Sequence, residues 1–184
     1  MARSLHESNV AALFALLDST GDGQIGADDF RRIADRACAA VAPDPGSPQH
    51  QAIQRLCADW WHHVREDADA DGDGAVSATE FVQAVDHLVA SHPHFQQMTG
   101  TLSCAAFDAA DTDEDGFISV PEFERFFSGL GIPHEVAGGA FAQLDTDGDG
   151  RISRQEYAEG VWVLLTSEDP DAPGSAILGQ TQAG

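Results

Sequence analysis

Apolar residues recur along this chain at helical spacing, in short stripes separated by polar, glycine-bearing breaks. Leu13, Phe14 and Leu17 form the first stripe, and Phe81, Val85 and Leu88 another. Phe107 precedes a later break; Phe123, Phe126, Phe127 and Leu130 follow it. Phe141 with Leu144, then Tyr157, Val161 and Leu164, complete the series, while Trp60, Trp61 and Val64 give a less regular face. This spacing predicts amphipathic helices meeting in a common core. Other stretches punctuate the pattern. Residues 41–49 are rich in proline and turn formers. Pro93, in Ser91-His92-Pro93-His94, cannot continue a helix and should break the chain between two halves. That favours two lobes folded against each other over a dumbbell with one long central helix. Beyond Leu165 the pattern turns non-helical, and Ile177 with Leu178 leaves an apolar hook that could fold back on the lobes.

The polar breaks are copies of one another. Asp18-Ser-Thr20-Gly-Asp22-Gly23, Asp69-Ala-Asp71-Gly-Asp73-Gly74, Asp111-Thr-Asp113-Glu-Asp115-Gly116 and Asp145-Thr-Asp147-Gly-Asp149-Gly150 align position by position. Two residues after the last glycine of each comes a branched apolar residue: Ile25, Val76, Ile118 or Ile152. Six residues after it sits an acid, Asp29, Glu80, Glu122 or Glu156, with an aromatic immediately behind. Three of the four copies satisfy D-x-[DN]-x-[DN]-G-x5-E in full.

Composition narrows the chemistry. The 184 residues carry 31 acids against 9 cations, all arginine, for a formal net charge of −22. Such a charge excludes an electrostatic grip on nucleic acid or an anionic membrane. A 42% hydrophobic content with ten Phe and three Trp supports a folded core. No run approaches a membrane span, and the N-terminal stretch reads as a helix running into Asp18, not as a secretory signal. Ala2 excludes N-myristoylation. Cys38, Cys57 and Cys104, an odd set with no close pair, fit reduced thiols and a cytoplasmic location.

The spacing suits a hard cation. Ca²⁺ takes six to eight oxygens at about 2.3–2.6 Å, and alternate side chains at loop positions 1, 3 and 5 converge on one point. Glycine at position 6 permits the sharp turn, position 7 offers its backbone carbonyl, and a glutamate at position 12 closes the cage with both oxygens. Ser77, Ser119 and Ser153 at position 9 form a capping box with that glutamate, so one segment both starts the exiting helix and completes the site. Position 8 can join two loops through a short antiparallel bridge, so loops should come in pairs.

Loops flanked by helices in this way resemble EF-hands, over roughly residues 5–165. Four hands, a stretched first gap and a tail are most similar to the sarcoplasmic calcium-binding protein group and its calerythrin-like bacterial branch. The resemblance implies an all-α fold of four EF-hands in two pairs, each with a β bridge between loops, in compact lobes facing each other. Residues 1–92 would form the N-terminal pair, 93–166 the C-terminal pair and 167–184 a tail. The ligands it implies in the second hand are Asp69, Asp71, Asp73, Ala75 through its carbonyl, Ser77 through water, and Glu80. The third hand would use Asp111, Asp113, Asp115, Phe117 (carbonyl), Ser119 and Glu122. The fourth would use Asp145, Asp147, Asp149, Arg151 (carbonyl), Ser153 and Glu156. The first hand departs from the pattern, with Asp18, Thr20, Asp22, Gln24 (carbonyl) and Asp29. Its short acid at position 12 tilts it toward Mg²⁺ or weaker Ca²⁺. Three or four Ca²⁺ ions are expected, with Mg²⁺ competing.

Rival readings fare worse. Gly21-Asp-Gly23-Gln-Ile-Gly26 matches a dinucleotide fingerprint, but a helix precedes it and four aspartates would repel phosphate. His62-His63 and His92-Pro-His94 lack the spacing of a zinc site. Of the 31 acids, 17 lie inside the four loops, leaving no separate carboxylate pair for glycoside hydrolysis. A non-enzymatic, monomeric Ca²⁺/Mg²⁺ buffer is the favoured function. The alternative is a sensor that opens an apolar groove for a target helix, but such grooves favour methionine, and only Met98 follows the initiator. A ligand-holding protein similar to the coelenterazine photoproteins is weaker still, with a single Tyr to offer.

Overall fold

A computed structural model describes residues 4–90 and 103–169. The expected break at 91–94 and the Ile177–Leu178 hook lie outside them. The described chain runs α1 (Leu5–Leu17), β1 (Gln24–Ile25), α2 (Ala27–Val41), α3 (Pro48–Ala68), β2 (Val76–Ser77) and α4 (Ala78–Ala90). It resumes with α5 (residues 103–110), β3 (Phe117–Ser119), α6 (Val120–Leu130), α7 (His134–Leu144), β4 (Arg151–Ser153) and α8 (Arg154–Thr166).

Each helix begins where local chemistry allows. The Ser4 hydroxyl accepts from the Glu7 N–H while the Glu7 carboxylate accepts from the Ser4 N–H, closing a capping box on α1. The Ser47 hydroxyl accepts from the His50 N–H, and Pro48 fills the first turn of α3, where a missing N–H costs nothing. The stretched first gap is therefore taken up by helix: only residues 42–47 are irregular, and α3 extends over 21 residues.

The four loops come in two pairs. β1 and β2 are antiparallel with Ile25 opposite Val76, and β3 and β4 with Ile118 opposite Ile152. All four of these position-8 side chains are fully buried. The bridges thus pin each pair of loops back to back while anchoring both in apolar packing.

The lobes face each other, as expected for a compact arrangement. One core gathers Phe107, Ile118, Phe123, Phe127 and Ile152 with Ala37, Cys38 and Ile53 of the N-terminal half; a second holds Leu17, Ile25, Phe30, Ile33 and Phe81. Phe123 stacks on Phe127 at 3.9 Å and meets Phe141 edge-on at 5.5 Å. Each such ring contributes about 1.5–3 kcal/mol by leaving water. The lobes approach most closely where α2 crosses α6: a Cβ on Gly129 would stand 3.0 Å from the Ala37 Cα. Two further ties join α1 to the end of α8, with Asn9 Nδ2 donating to the Leu164 carbonyl and His6 Nδ1 lying 2.9 Å from that of Leu165. They supply partners for carbonyls that a helix end leaves unpaired. No helix among the described residues is long and apolar enough to cross a membrane.

Candidate metal-binding loops

Each loop wraps its backbone around its own acids. The position-1 carboxylate accepts from the N–H of position 6 in every copy: Gly23 to Asp18, Gly74 to Asp69, Gly116 to Asp111 and Gly150 to Asp145, at 2.9–3.2 Å. The position-5 carboxylate accepts from the N–H of position 7, in Asp22, Asp73, Asp115 and Asp149, at 2.9 Å. These bonds hold the acids on the inner side of the turn, where one ion could reach several of them.

The loops differ in how far the acids converge. Among the described residues, ligand atoms lie within 4.8 Å of one another in three groups: Asp69, Asp71 and Asp73; Asp111, Asp113 and Glu122; Asp145, Asp147 and Glu156. Two oxygens on opposite sides of one Ca²⁺ stand roughly 4.6–5.2 Å apart, twice the bond length. All three groups therefore fit that ion, and their all-oxygen donor set suits a hard cation. Loop one forms no such group among the described residues. Asp29 is buried and reaches back to the Thr20 N–H at 2.9 Å and the Gly26 N–H at 2.7 Å. The shorter acid thus caps α2 and ties the loop.

Position 2 escaped the sequence reading. The Thr112 N–H and hydroxyl both donate to Glu122 Oε1, at 2.8 and 2.6 Å, and those of Thr146 to Glu156 Oε1, at 2.9 Å. Each glutamate is held at its other oxygen by the N–H and hydroxyl of Ser119 or Ser153. Loop two has Ala70 at position 2, and its Glu80 takes hydroxyl and N–H bonds of 2.7 and 2.9 Å from Ser77, with lesser backbone contributions from Ala70 and Asp71 and no second hydroxyl. Glu80 stands apart from its loop's cluster. The signal was legible in principle, since Ser-Thr-Thr against Ala at position 2 is a chemical difference.

Hydrogen bonds, burial and neighbouring charge shift the loop acids in different directions. Burial would raise Glu122, but hydrogen bonds from Thr112 and Ser119 outweigh it and hold the carboxyl at about 2. Burial likewise opposes, and bonds from Ser153 and Thr146 prevail, at Glu156, also at about 2. Bonds from the Ser77 N–H and hydroxyl lower Glu80. Asp111 moves the other way, raised by burial and by the charges of Asp115 and Glu122. Neighbouring carboxylates pushed in opposite directions mark a crowded anionic cage, which a cation would relieve.

A family model described as an EF-hand domain pair matches residues 102–161, and one described as EF hand matches residues 10–34 and 66–85. A solved calcium-binding protein of Streptomyces coelicolor, described in terms of prokaryotic calcium-mediated regulation, is 32% identical with a TM-score of 0.76, the match covering 88% of this chain and 99% of that one. Calerythrin of Saccharopolyspora erythraea is 23% identical over 163 residues, 88% of this chain and 92% of its own. The luciferin-binding protein of Renilla reniformis is 28% identical over 182 residues, 96% of this chain and 95% of its own.

Proposed function

The chain belongs to the EF-hand family, and from that premise we propose that it is a non-enzymatic, monomeric Ca²⁺/Mg²⁺ buffer of the cytoplasm. The observation that carries this is the convergence of three acidic groups to cation-sized separations in loops two, three and four. Asp69, Asp71, Asp73 and Glu80 would hold one ion, Asp111, Asp113, Asp115 and Glu122 a second, and Asp145, Asp147, Asp149 and Glu156 a third. The carbonyls of Ala75, Phe117 and Arg151, and the Ser77, Ser119 and Ser153 hydroxyls, would complete the shells. The first hand, with Asp18, Thr20, Asp22, Gln24 and Asp29, would take Mg²⁺ or Ca²⁺ weakly.

Buffering is favoured over sensing by where the apolar surface lies. The helix faces that a sensor would present to a target are turned on the opposite lobe, and among the described residues Val120 is the one exposed large hydrophobic. The sensor reading draws support from the regulatory description of the Streptomyces relative. Fluorescence of the apolar-surface dye ANS, followed while Ca²⁺ is titrated into the protein in Mg²⁺, separates the two. A buffer leaves the signal flat or falling while Ca²⁺ binds; a saturable rise would mean that a groove opens and that the protein is a sensor.

A further inference from the structure

Loop four alone carries cations of its own. Residues 145–156 hold four acids and two arginines, Arg151 and Arg154, whereas residues 111–122 of loop three hold five acids and no cation. The two arginines have different partners. Arg154 opens α8 and reaches across to α5, where its guanidinium bonds to Asp108 at 2.5 Å and to the Cys104 carbonyl at 3.3 Å. It also lies 4.5 Å from the centre of the Phe107 ring. Asp108 belongs to none of the proposed ion shells, so that charge is met outside the cages. Arg151, at position 7, pairs instead with an acid assigned to a shell: its guanidinium stands 3.3 Å from Oδ2 of Asp149, position 5 of its own loop.

The neighbouring loop holds Arg151 there. In the bridge, Phe117 is opposite Ser153 and Ser119 is opposite Arg151. Phe117 and Arg151 are therefore diagonal neighbours on one face of the small sheet, with the buried Ile118 and Ile152 on the other. The guanidinium lies over the Phe117 ring, 4.0 Å from its centre. In the N-terminal pair the position-7 residues are Gln24 and Ala75, which bring no charge to the bridge.

We propose that Arg151 determines how tightly loop four holds its ion and which ion charge it favours, acting as a fixed positive charge beside the cage. The inference rests on the reading of loop four as an ion site. Repulsion from one fixed charge grows in proportion to the charge of the incoming ion, so a trivalent cation is penalised half again as much as a divalent one. The pair is exposed, at 47% for Arg151 and 38% for Asp149, so water and salt screen it and the effect is severalfold. Loop four is thereby the first of loops three and four to release its ion as free Ca²⁺ falls.

The test uses the full chain with free Ca²⁺ or La³⁺ set by chelator buffers. It follows the NMR signals of the position-6 glycine amides, whose N–H groups bond to the position-1 acids. Gly150 reports on loop four, Gly116 on loop three and Gly74 on loop two. In the unaltered chain, loop four should fill at higher free Ca²⁺ than loop three. Arg151→Gln should tighten loop four about threefold for Ca²⁺, the scale of one exposed ion pair, and about fivefold for La³⁺. Arg151→Lys keeps the charge and should stay within about twofold of the unaltered chain for both ions. Loop two should not move in either variant. No tightening by Arg151→Gln would overturn the proposal. So would equal factors for the two ions, or an Arg151→Lys effect as large as that of Arg151→Gln, either of which would trace the affinity to packing on Phe117 and not to charge. A loop four that never fills would overturn the ion-site reading together with this proposal, whereas one that fills and ignores Arg151→Gln overturns this proposal alone.

Discussion

In loops three and four a threonine at position 2 reaches across the turn and draws the position-12 glutamate in beside the first and third acids. In loops one and two the same backbone turn is present and the same position-8 bridge pairs them, yet the group in loop two omits Glu80 and loop one forms no group among the described residues. Loop two has the full-length Glu80 but no hydroxyl at position 2. Loop one has a hydroxyl there, Ser19, but it lies 3.4 Å from an aspartate already committed to two backbone N–H groups. The two halves teach that scaffolding and ligation are separable duties of position 12. An aspartate can cap the exiting helix and lock the loop, whereas placing a carboxylate in the cage takes both the longer arm and something to hold it there.

The largest effect that could break this comparison is the stabilisation by Ca²⁺ itself. At a free concentration about a hundred times Kd, each filled loop contributes about 2.7 kcal/mol. Three filled loops should therefore add about 8 kcal/mol to chemical unfolding, and chelation should remove it. A gain near that of one ion would mean that the three clusters are not equivalent in use. Next in size, Glu122→Gln should weaken its loop roughly a hundredfold, the order of about 3 kcal/mol seen when one partner of a buried charged pair is removed. Asp29→Asn should cost less than tenfold at the first loop. Equal losses in calorimetry would show that loop one is a working site of the same kind.

Smaller changes sharpen the role of position 2. Thr112→Ala should loosen loop three about fivefold, Thr112→Ser should restore it, and Ala70→Thr should tighten loop two by a similar factor, each one hydrogen bond in size. Tightening by Ala70→Thr without loosening by Thr112→Ala would place the difference elsewhere in the loops. Smallest of all is a backbone effect at position 4. Glu114 sits there with φ of +59°, in the left-handed region, where loop four has Gly148 at +73°. Glu114→Gly should relieve a cost of about 1 kcal/mol, partly offset by the freedom glycine gains when unfolded. The expected net is a few tenths of a kcal/mol in metal-free denaturation.

Much of this was legible in the sequence. The repeated acids located all four loops, the apolar stripes located the helices, and Ile25, Val76, Ile118 and Ile152 foretold that loops come in pairs. These features are local, carried by period and by fixed offsets within a dozen residues. What escaped is what depends on distance across space. The 21 residues of α3 absorbed the long first gap, because Ser47 and Pro48 start a helix whose apolar face is irregular. The close crossing of α2 over α6 rests on Gly129, which looks in sequence like any helical glycine. Tyr157 belongs to a core stripe, and nothing in its spacing says that it also lines a cavity between the lobes.

The most direct test of the difference between the halves is a calorimetric titration of Ca²⁺ into the metal-stripped full chain, in Mg²⁺. Three ions should enter in the tight phase, with any fourth taken up only at much higher concentration, at the loop closed by Asp29. Four indistinguishable sites, or fewer than three, would contradict the separation of scaffold from cage.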